Sequence, residues 1–265
     1  MKRLRALTTQ LPSVSRETLT ALARRFGLPP EAAEKLDRLL AALAREPDPP
    51  TTVRAPEAAL DAHVSDSLSG LEVAPLRRAR PIADLGAGAG FPGLVLAIAL
   101  PSARVDLIES QRRKCAVIDR LATAAGIENA RSIAARAEEW AGEEAEGREA
   151  YDVVTARAVA PLAVLVEYAA PLLREGGALV AWKGARDPDE EAVGARAADR
   201  LGMRPEAVRP VRPFPAARDR HLHVYLKEGP TPPGFPRRVG VASKRPLGGE
   251  GGSGANQSRS DRSQG

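Results

Sequence analysis

The stretch "ADLGAGAGFPGLVLAIAL", from Ala83 to Leu100, constrains this chain more than any other. Gly86, Gly88, Gly90 and Gly93 follow the apolar run "PIADL" and precede a second apolar run. Without a Cβ, backbone at such positions turns sharply and lets a ligand approach closely. A strand that passes through a glycine loop into a helix reads as the first unit of an open α/β sheet. Ligands of such sheets bind beyond the C-terminal ends of the strands. Pro92 suits the first helical turn, where a missing N–H costs nothing.

The chain after residue 81 continues in the same alternation. "PIADL", "RVDLIE", "RSIAA", "YDVVTA" and "GALVAWK" read as strands, with helices beginning near Pro92, Gln111, Ala137 and Pro161. This predicts a parallel sheet covered on both faces. "DPDEEAVGARAADRLG" reads as a further helix, and "HLHVYLK" as a last strand, antiparallel to one near residues 206 to 212. Residues 13 to 70 read as helical. Ser15 is the candidate N-cap and Gly27 the stop of a helix carrying Leu19, Leu22, Ala23 and Phe26. A second helix starts at Pro30 and buries Leu36, Leu39, Leu40 and Leu43. In a third helical piece, His63 and Asp66 stand one turn apart and predict a local hydrogen-bonded pair packing cap against sheet. The predicted organisation is a helical cap (1–76), an α/β domain (77–228), a basic extension (229–248) and a disordered Gly/Ser-rich tail (249–265).

Composition narrows the function. Aromatics are 3% against 43% hydrophobic residues, so the core is built from Ala, Leu and Val. No apolar run reaches membrane-spanning length, and the basic start lacks the apolar stretch of a signal peptide. The expectation is a cytoplasmic protein without a membrane partner. Cys115 is the sole cysteine, read as a small core residue, and the three histidines are dispersed or in one H-x-H pair; no metal is expected. The net charge is +5, but six Lys/Arg against two Asp/Glu lie from Gly229 onward, leaving 33 against 32 in the rest. Attraction to a polyanion must therefore come from local arginine clusters and the tail.

Two ligand classes fit the loop. Gly88, Gly90 and Gly93 match G-x-G-x-x-G, a dinucleotide pattern with pyrophosphate at the helix start. Asp84, Gly86, Gly88 and Gly90 match D-x-G-x-G-x-G, usual for S-adenosylmethionine. A carboxylate favours a cofactor with ammonium and sulfonium charges and disfavours a pyrophosphate, so Asp84 tilts the reading toward the methyl donor; the alternative is that Asp84 caps a turn. Glu109, ending the second strand, can accept both ribose hydroxyls of either cofactor. Ala137 and Glu138, in "ARAEEW", are candidates for the adenine, against the alternative of an ordinary helix start with acids at its positive end.

Several separated motifs, in order, resemble the small-subunit ribosomal RNA methyltransferase G family, also called glucose-inhibited division protein B. They are "HVSDSL", "DLGAGAGFPGL", "ARAEE", "ARAVAPL", "WKG", "RHL" and "PRRVGVASKRPLG", spread over roughly residues 15 to 248. The long Gly/Ser tail and Ala242, where many members carry proline, depart from the pattern. The resemblance implies a Rossmann-like class I S-adenosylmethionine-dependent methyltransferase sheet with an N-terminal helical cap. It implies methylation of guanine N7 at one nucleotide of 16S ribosomal RNA, free or within the small ribosomal subunit; a monomer is the separate expectation. It further implies that Gly86 and Phe91 contact the cofactor, that Ala137 and Glu138 lie at the adenine, and that Arg157 lies at the junction of cofactor and substrate.

The sequence fits that chemistry by what it lacks. Guanine N7 carries a free lone pair and needs no general base, so alignment and exclusion of water suffice. No Asn- or Asp-Pro-Pro-aromatic motif follows the fourth strand, and Cys115 is far in sequence from where a nucleophilic cysteine would stand. Arg157 is the candidate for substrate positioning, through a phosphate or guanine O6; a structural salt bridge is the alternative. Arg209, Arg212, Arg218, Arg220, Arg237, Arg238, Lys244 and Arg245 are candidate RNA-backbone contacts. The rival functions are methyl transfer to a small molecule or protein, an NAD-binding dehydrogenase, and a cofactor-binding RNA chaperone without catalysis.

Overall fold

A computed structural model describes residues 14–249. The tail after Gly249, predicted to be disordered, and residues 1–13 lie outside the described residues. The cap begins with α1 (Arg16–Phe26) and α2 (Ala32–Arg45). Ser15 Oγ accepts the Thr18 N–H at 3.1 Å, and Gly27, at φ 63°, ends α1 in the left-handed region. Leu36, Leu39, Leu40 and Leu43 form the buried stripe of α2 at the spacing the sequence predicts.

The third helical piece is not one helix. It runs as α3 (Pro56–Ala59), a π-helical turn (Leu60–Ser65), α4 (Asp66–Ser69), a 3₁₀ turn (Gly70–Glu72) and α5 (Ala74–Arg78). The α/β part then follows as β1 (Pro81–Leu85), α6 (Gly93–Ala99), β2 (Arg104–Ile108), α7 (Arg112–Ala125), β3 (Ala130–Ile133), α8 (Ala137–Trp140) and β4 (Tyr151–Arg157). It continues through α9 (Leu162–Ala169), β5 (Leu173–Lys183), α10 (Pro188–Asp199), β6 (Met203–Pro210), β7 (His221–Lys227) and α11 (Val241–Lys244).

The sheet order is β3-β2-β1-β4-β5-β7-β6. β1 to β5 are parallel, and β7 inserts antiparallel between β5 and β6. This is the parallel sheet expected from the alternation, with the last strand pairing the predicted partner and also β5. The strand order reverses at β1, which has β2 on one side and β4 on the other. That switch point opens the crevice where a ligand fits.

The position of the cap follows from α6. All seven residues of "GLVLAIA" are buried, and a helix apolar all round needs cover on every side. The sheet covers one side; Leu36, Leu39, Leu43 and Leu68 of the cap join the same apolar cluster as Leu94, Leu107 and Leu121. α9 and α10 cover the opposite face, in a second cluster that includes Leu247 of the C-terminal extension. Among the described residues no helix is long and apolar enough to cross a membrane.

Candidate active site

The glycine loop leaves β1 and folds over the end of β2. Gly86 and Ala87 donate their N–H groups to Ile108 O at 2.9 and 3.3 Å, and Gly90 donates to Ala87 O at 2.7 Å. Gly86 (φ 62°) and Gly88 (φ 56°) both hold left-handed backbone. A Cβ on Gly86 would meet Val159 at 2.8 Å, whereas a Cβ on Gly88 would meet nothing nearer than Gly86 O at 3.8 Å. Gly88 therefore presents bare backbone to open space. Gly90 packs beneath Leu94 at the start of α6.

A cavity of about 250 Å³ opens beside this loop, walled by Gly86, Glu109, Ala137, Glu138, Val159 and Tyr168. The structure thus brings together Gly86, Glu109, Ala137 and Glu138 from three separate segments. Glu109 is 5% exposed. Its Oε2 accepts the Gly88 N–H at 3.2 Å and its Oε1 the Gln111 N–H at 2.9 Å, so it ties the loop to the end of β2 and keeps lone pairs free. Glu138 Oε1 accepts the Gly240 N–H at 2.9 Å, which seats the C-terminal extension against the cavity wall. Tyr168, whose hydroxyl meets Ser243 Oγ at 2.9 Å, does the same on the other side. Sequence reasoning missed Tyr168 and Val159. Val159 follows Arg157 in the quoted "ARAVAPL", whereas Tyr168 carries no local signal.

Two expected cofactor contacts are corrected. Asp84 is fully buried and outside the cavity wall; it accepts the Gly93 N–H at 2.9 Å and the Thr155 hydroxyl at 2.8 Å. Its carboxylate braces β1, β4 and the start of α6 rather than facing a ligand, because the side chain alternates into the sheet's interior. Burial pushes its pKa up to about 6, against the lowering effect of both hydrogen bonds. Phe91 is also buried, and its ring stacks on His63 at 4.5 Å between centroids. The ring locks the loop to the cap, so any cofactor contact of Phe91 falls to its backbone.

Arg157 ends β4 and points into the cap. Its Nη1 donates to Ala62 O at 2.9 Å and to Asp66 Oδ2 at 3.0 Å, and its Nη2 to His63 Nδ1 at 3.2 Å. The direct His63–Asp66 pair predicted from sequence is replaced by a pair bridged through Arg157, because the π-helical turn widens their separation from an α-helical one. Arg157 is half of a buried ion pair: its side chain is 15% exposed and its partner's 10%. Burial and the neighbouring guanidinium hold the His63 pKa down at about 4. The ring is neutral at pH 7, accepting at Nδ1 and donating from Nε2 to Val53 O at 3.0 Å.

A second cavity, of about 390 Å³, lies between the cap, the end of β5 and the start of β7, walled by Asp66, Arg157, Trp182, Lys183, Arg220 and His221. Ala158, at φ 55°, lines both cavities. Cys115 is buried and its thiol pKa is raised, first by burial and then by Glu109, as suits a core residue.

The candidate RNA contacts divide. Arg209, Arg212, Arg218 and Arg220 are exposed around the β6–β7 hairpin, and Arg238, Lys244 and Arg245 on the extension. None has an acidic partner among the described residues. Arg237 is corrected: it forks onto Glu167, which is 1% exposed, with Nε donating to Oε1 at 2.6 Å and Nη2 to Oε2. Its Nη2 also donates to Arg245 O at 2.9 Å. Arg237 fastens the extension to α9, and its charge is spent on the protein.

The family described as rRNA small subunit methyltransferase G matches residues 39–222. The chain is 44% identical over 201 residues to the "Ribosomal RNA small subunit methyltransferase G" of Rubrobacter xylanophilus, covering 75% of this chain and 77% of that one. To the protein of the same name from Symbiobacterium thermophilum it is 39% identical over 202 residues, covering 74% and 82%. Among solved structures it resembles a Methanococcus jannaschii fibrillarin pre-rRNA processing protein, with TM-score 0.47, 24% identity and coverage of 62% and 74%.

Proposed function

The chain belongs to the rRNA small subunit methyltransferase G family, and from that premise we propose how its residues divide the work of methylating guanine N7. It is an S-adenosylmethionine-dependent methyltransferase of ribosomal RNA. The observation that carries the division of labour is the pair of cavities meeting at Ala158. One has the features a nucleoside cofactor requires: glycine-loop backbone at Gly86, a carboxylate at the end of β2, and a wall formed by Ala137 and Glu138. The other is lined by cations, as a nucleotide substrate requires.

S-adenosylmethionine supplies a methyl group on a sulfonium, which guanine N7 can take without first losing a proton. The chain's residues accordingly align and exclude water. Glu109 faces the ribose hydroxyls with its spare lone pairs, and Gly86 and Gly88 permit close approach. Ala137 and Glu138 border the adenine. Arg157, held by Asp66 and His63, positions the substrate near the junction. Its pairing with Asp66 offsets its charge, which limits repulsion against a base that becomes cationic on methylation. Asp84 and Phe91 shape the loop without touching the reacting atoms.

On this reading the substrate is a guanosine of 16S ribosomal RNA, and the protein acts in the cytoplasm as a monomer. Two experiments test it. Calorimetry with S-adenosylhomocysteine and with NAD is expected to give binding of the first alone; binding of NAD would remove the assignment of the first cavity. Label transfer to naked 16S RNA and to small subunits identifies the accepted form, and no transfer to either would remove the substrate.

A further inference from the structure

Asp66 is the one group of the second cavity that the proposed mechanism leaves half used. Its Oδ2 accepts from Arg157 at 3.0 Å, while Oδ1 is buried with no hydrogen-bond partner. A carboxylate oxygen left so is costly, and a donor brought to it would be bound strongly. The terminal torsion of an aspartate is soft, so either oxygen can be offered to a ligand.

The other polar groups of the cavity narrow what that ligand is. Lys183 Nζ is neutralised by Glu190 at 2.7 Å, and His221 Nδ1 lies 2.8 Å from Gly184 O. Arg157 is committed to Asp66 and the cap. Arg220 remains, exposed and without an acidic partner among the described residues. The cavity therefore offers one free cation and one free buried acceptor. Its volume of about 390 Å³ falls within the roughly 300–1,000 Å³ of small-molecule sites.

We propose that this cavity holds the target guanosine nucleotide, with Arg220 on a flanking phosphate and Asp66 accepting from the Watson–Crick edge of the base. The assignment rests on the methyltransferase reading above. Guanine's Watson–Crick edge carries two donors, N1–H and the 2-amino group, whereas N7 is an acceptor on the opposite side of the purine. A carboxylate thus takes the edge that is not reacting and leaves N7 free. It also rejects adenine, whose N1 is an acceptor. Enzymes acting on a base extruded from its stack read it by this edge, and a site built to hydrogen-bond a substrate group discriminates strongly against an analogue lacking it.

The test is methyl transfer to 16S RNA carrying guanosine or inosine at the methylated position, for the parent and for Asp66→Asn. Inosine keeps N7, O6 and N1–H but lacks the 2-amino group. The parent is expected to lose about 10- to 100-fold in kcat/KM on inosine, the discrimination of one hydrogen bond to a charged acceptor. In Asp66→Asn, Arg157 draws the amide oxygen, which leaves the NH₂ group against guanine's donors. Activity on guanosine should fall and the guanosine/inosine ratio collapse toward one, with affinity for S-adenosylhomocysteine retained. Equal rates of the parent on both RNAs, or an undiminished ratio in the variant, would overturn the assignment. Should Asp66→Asn fail to fold, the exposed Arg220→Ala decides: a raised KM for RNA with little change in kcat supports the site, and an unchanged KM overturns it. Absence of any transfer by the parent would instead overturn the methyltransferase reading itself.

Discussion

At the scale of single residues, the glycine loop joins a buried carboxylate, Asp84, to a bare backbone position, Gly88. Asp84 stands in the cofactor motif, yet its carboxylate is spent on Gly93 and Thr155. With its pKa raised to about 6, folding disfavours its charged form, so its effect is smallest below pH 4 and stability falls as pH rises through about 6. His63, depressed to about 4, has the opposite slope: its contribution is complete above about pH 6.5 and is lost as pH falls. The two nearly cancel in the parent. Asp84→Asn should remove the first, making stability rise by a few kcal/mol between pH 4 and 6.5 relative to the parent. Denaturant titrations across that range measure it, and parallel profiles for the two proteins would contradict it. Gly88, by contrast, is as open as its motif suggests. Asn tolerates left-handed backbone, so Gly88→Asn separates bulk from strain. It should abolish S-adenosylhomocysteine binding in calorimetry while costing under about 1 kcal/mol of stability; retained affinity would remove Gly88 from the cofactor site.

At the scale of elements, the parallel sheet and the two long cap helices were legible because period and punctuation agree there. The alternating strands, the Leu stripe of α2 and the Ser15 and Gly27 caps all point the same way. The piece holding His63 is helical as its pattern predicts, but its course through a π-helical and a 3₁₀ turn was not legible. His63 and Asp66 meet Arg157, 91 residues from Asp66, and no local signal encodes a partner so distant. Arg237 was misassigned for a related reason. A basic run reads as a polyanion contact unless a buried acid from elsewhere claims one of its members, and Glu167 lies in an apolar helix. Arg237→Ala should therefore strand Glu167 and free the extension. The expected local cost is about 3–5 kcal/mol, as for other broken buried pairs, discounted somewhat because Arg237 is 24% exposed. Hydrogen exchange should show lost protection at Gly240, with the sheet unaffected; unchanged protection would mean the extension is held without this clamp.

At the scale of the whole molecule, charge distribution decides how RNA is met. Exposed arginines stand on the β6–β7 hairpin and on the extension seated on Glu138 and Tyr168. Each cation that reaches a phosphate contributes about 0.7–0.9 to the slope of log K against log salt. Replacing Arg238, Lys244 and Arg245 by glutamine should flatten that slope by roughly two units and leave S-adenosylhomocysteine affinity unchanged. RNA binding at several salt concentrations measures it, and an unchanged slope would shift the contact to Arg209, Arg212, Arg218 and Arg220. The central claim is tested most directly by the product. Unmodified 16S RNA is incubated with the protein and S-adenosylmethionine, digested to nucleosides and analysed by mass. The account predicts one 7-methylguanosine per RNA chain, at a single position; a methyl group on another atom or base, or none, would contradict it.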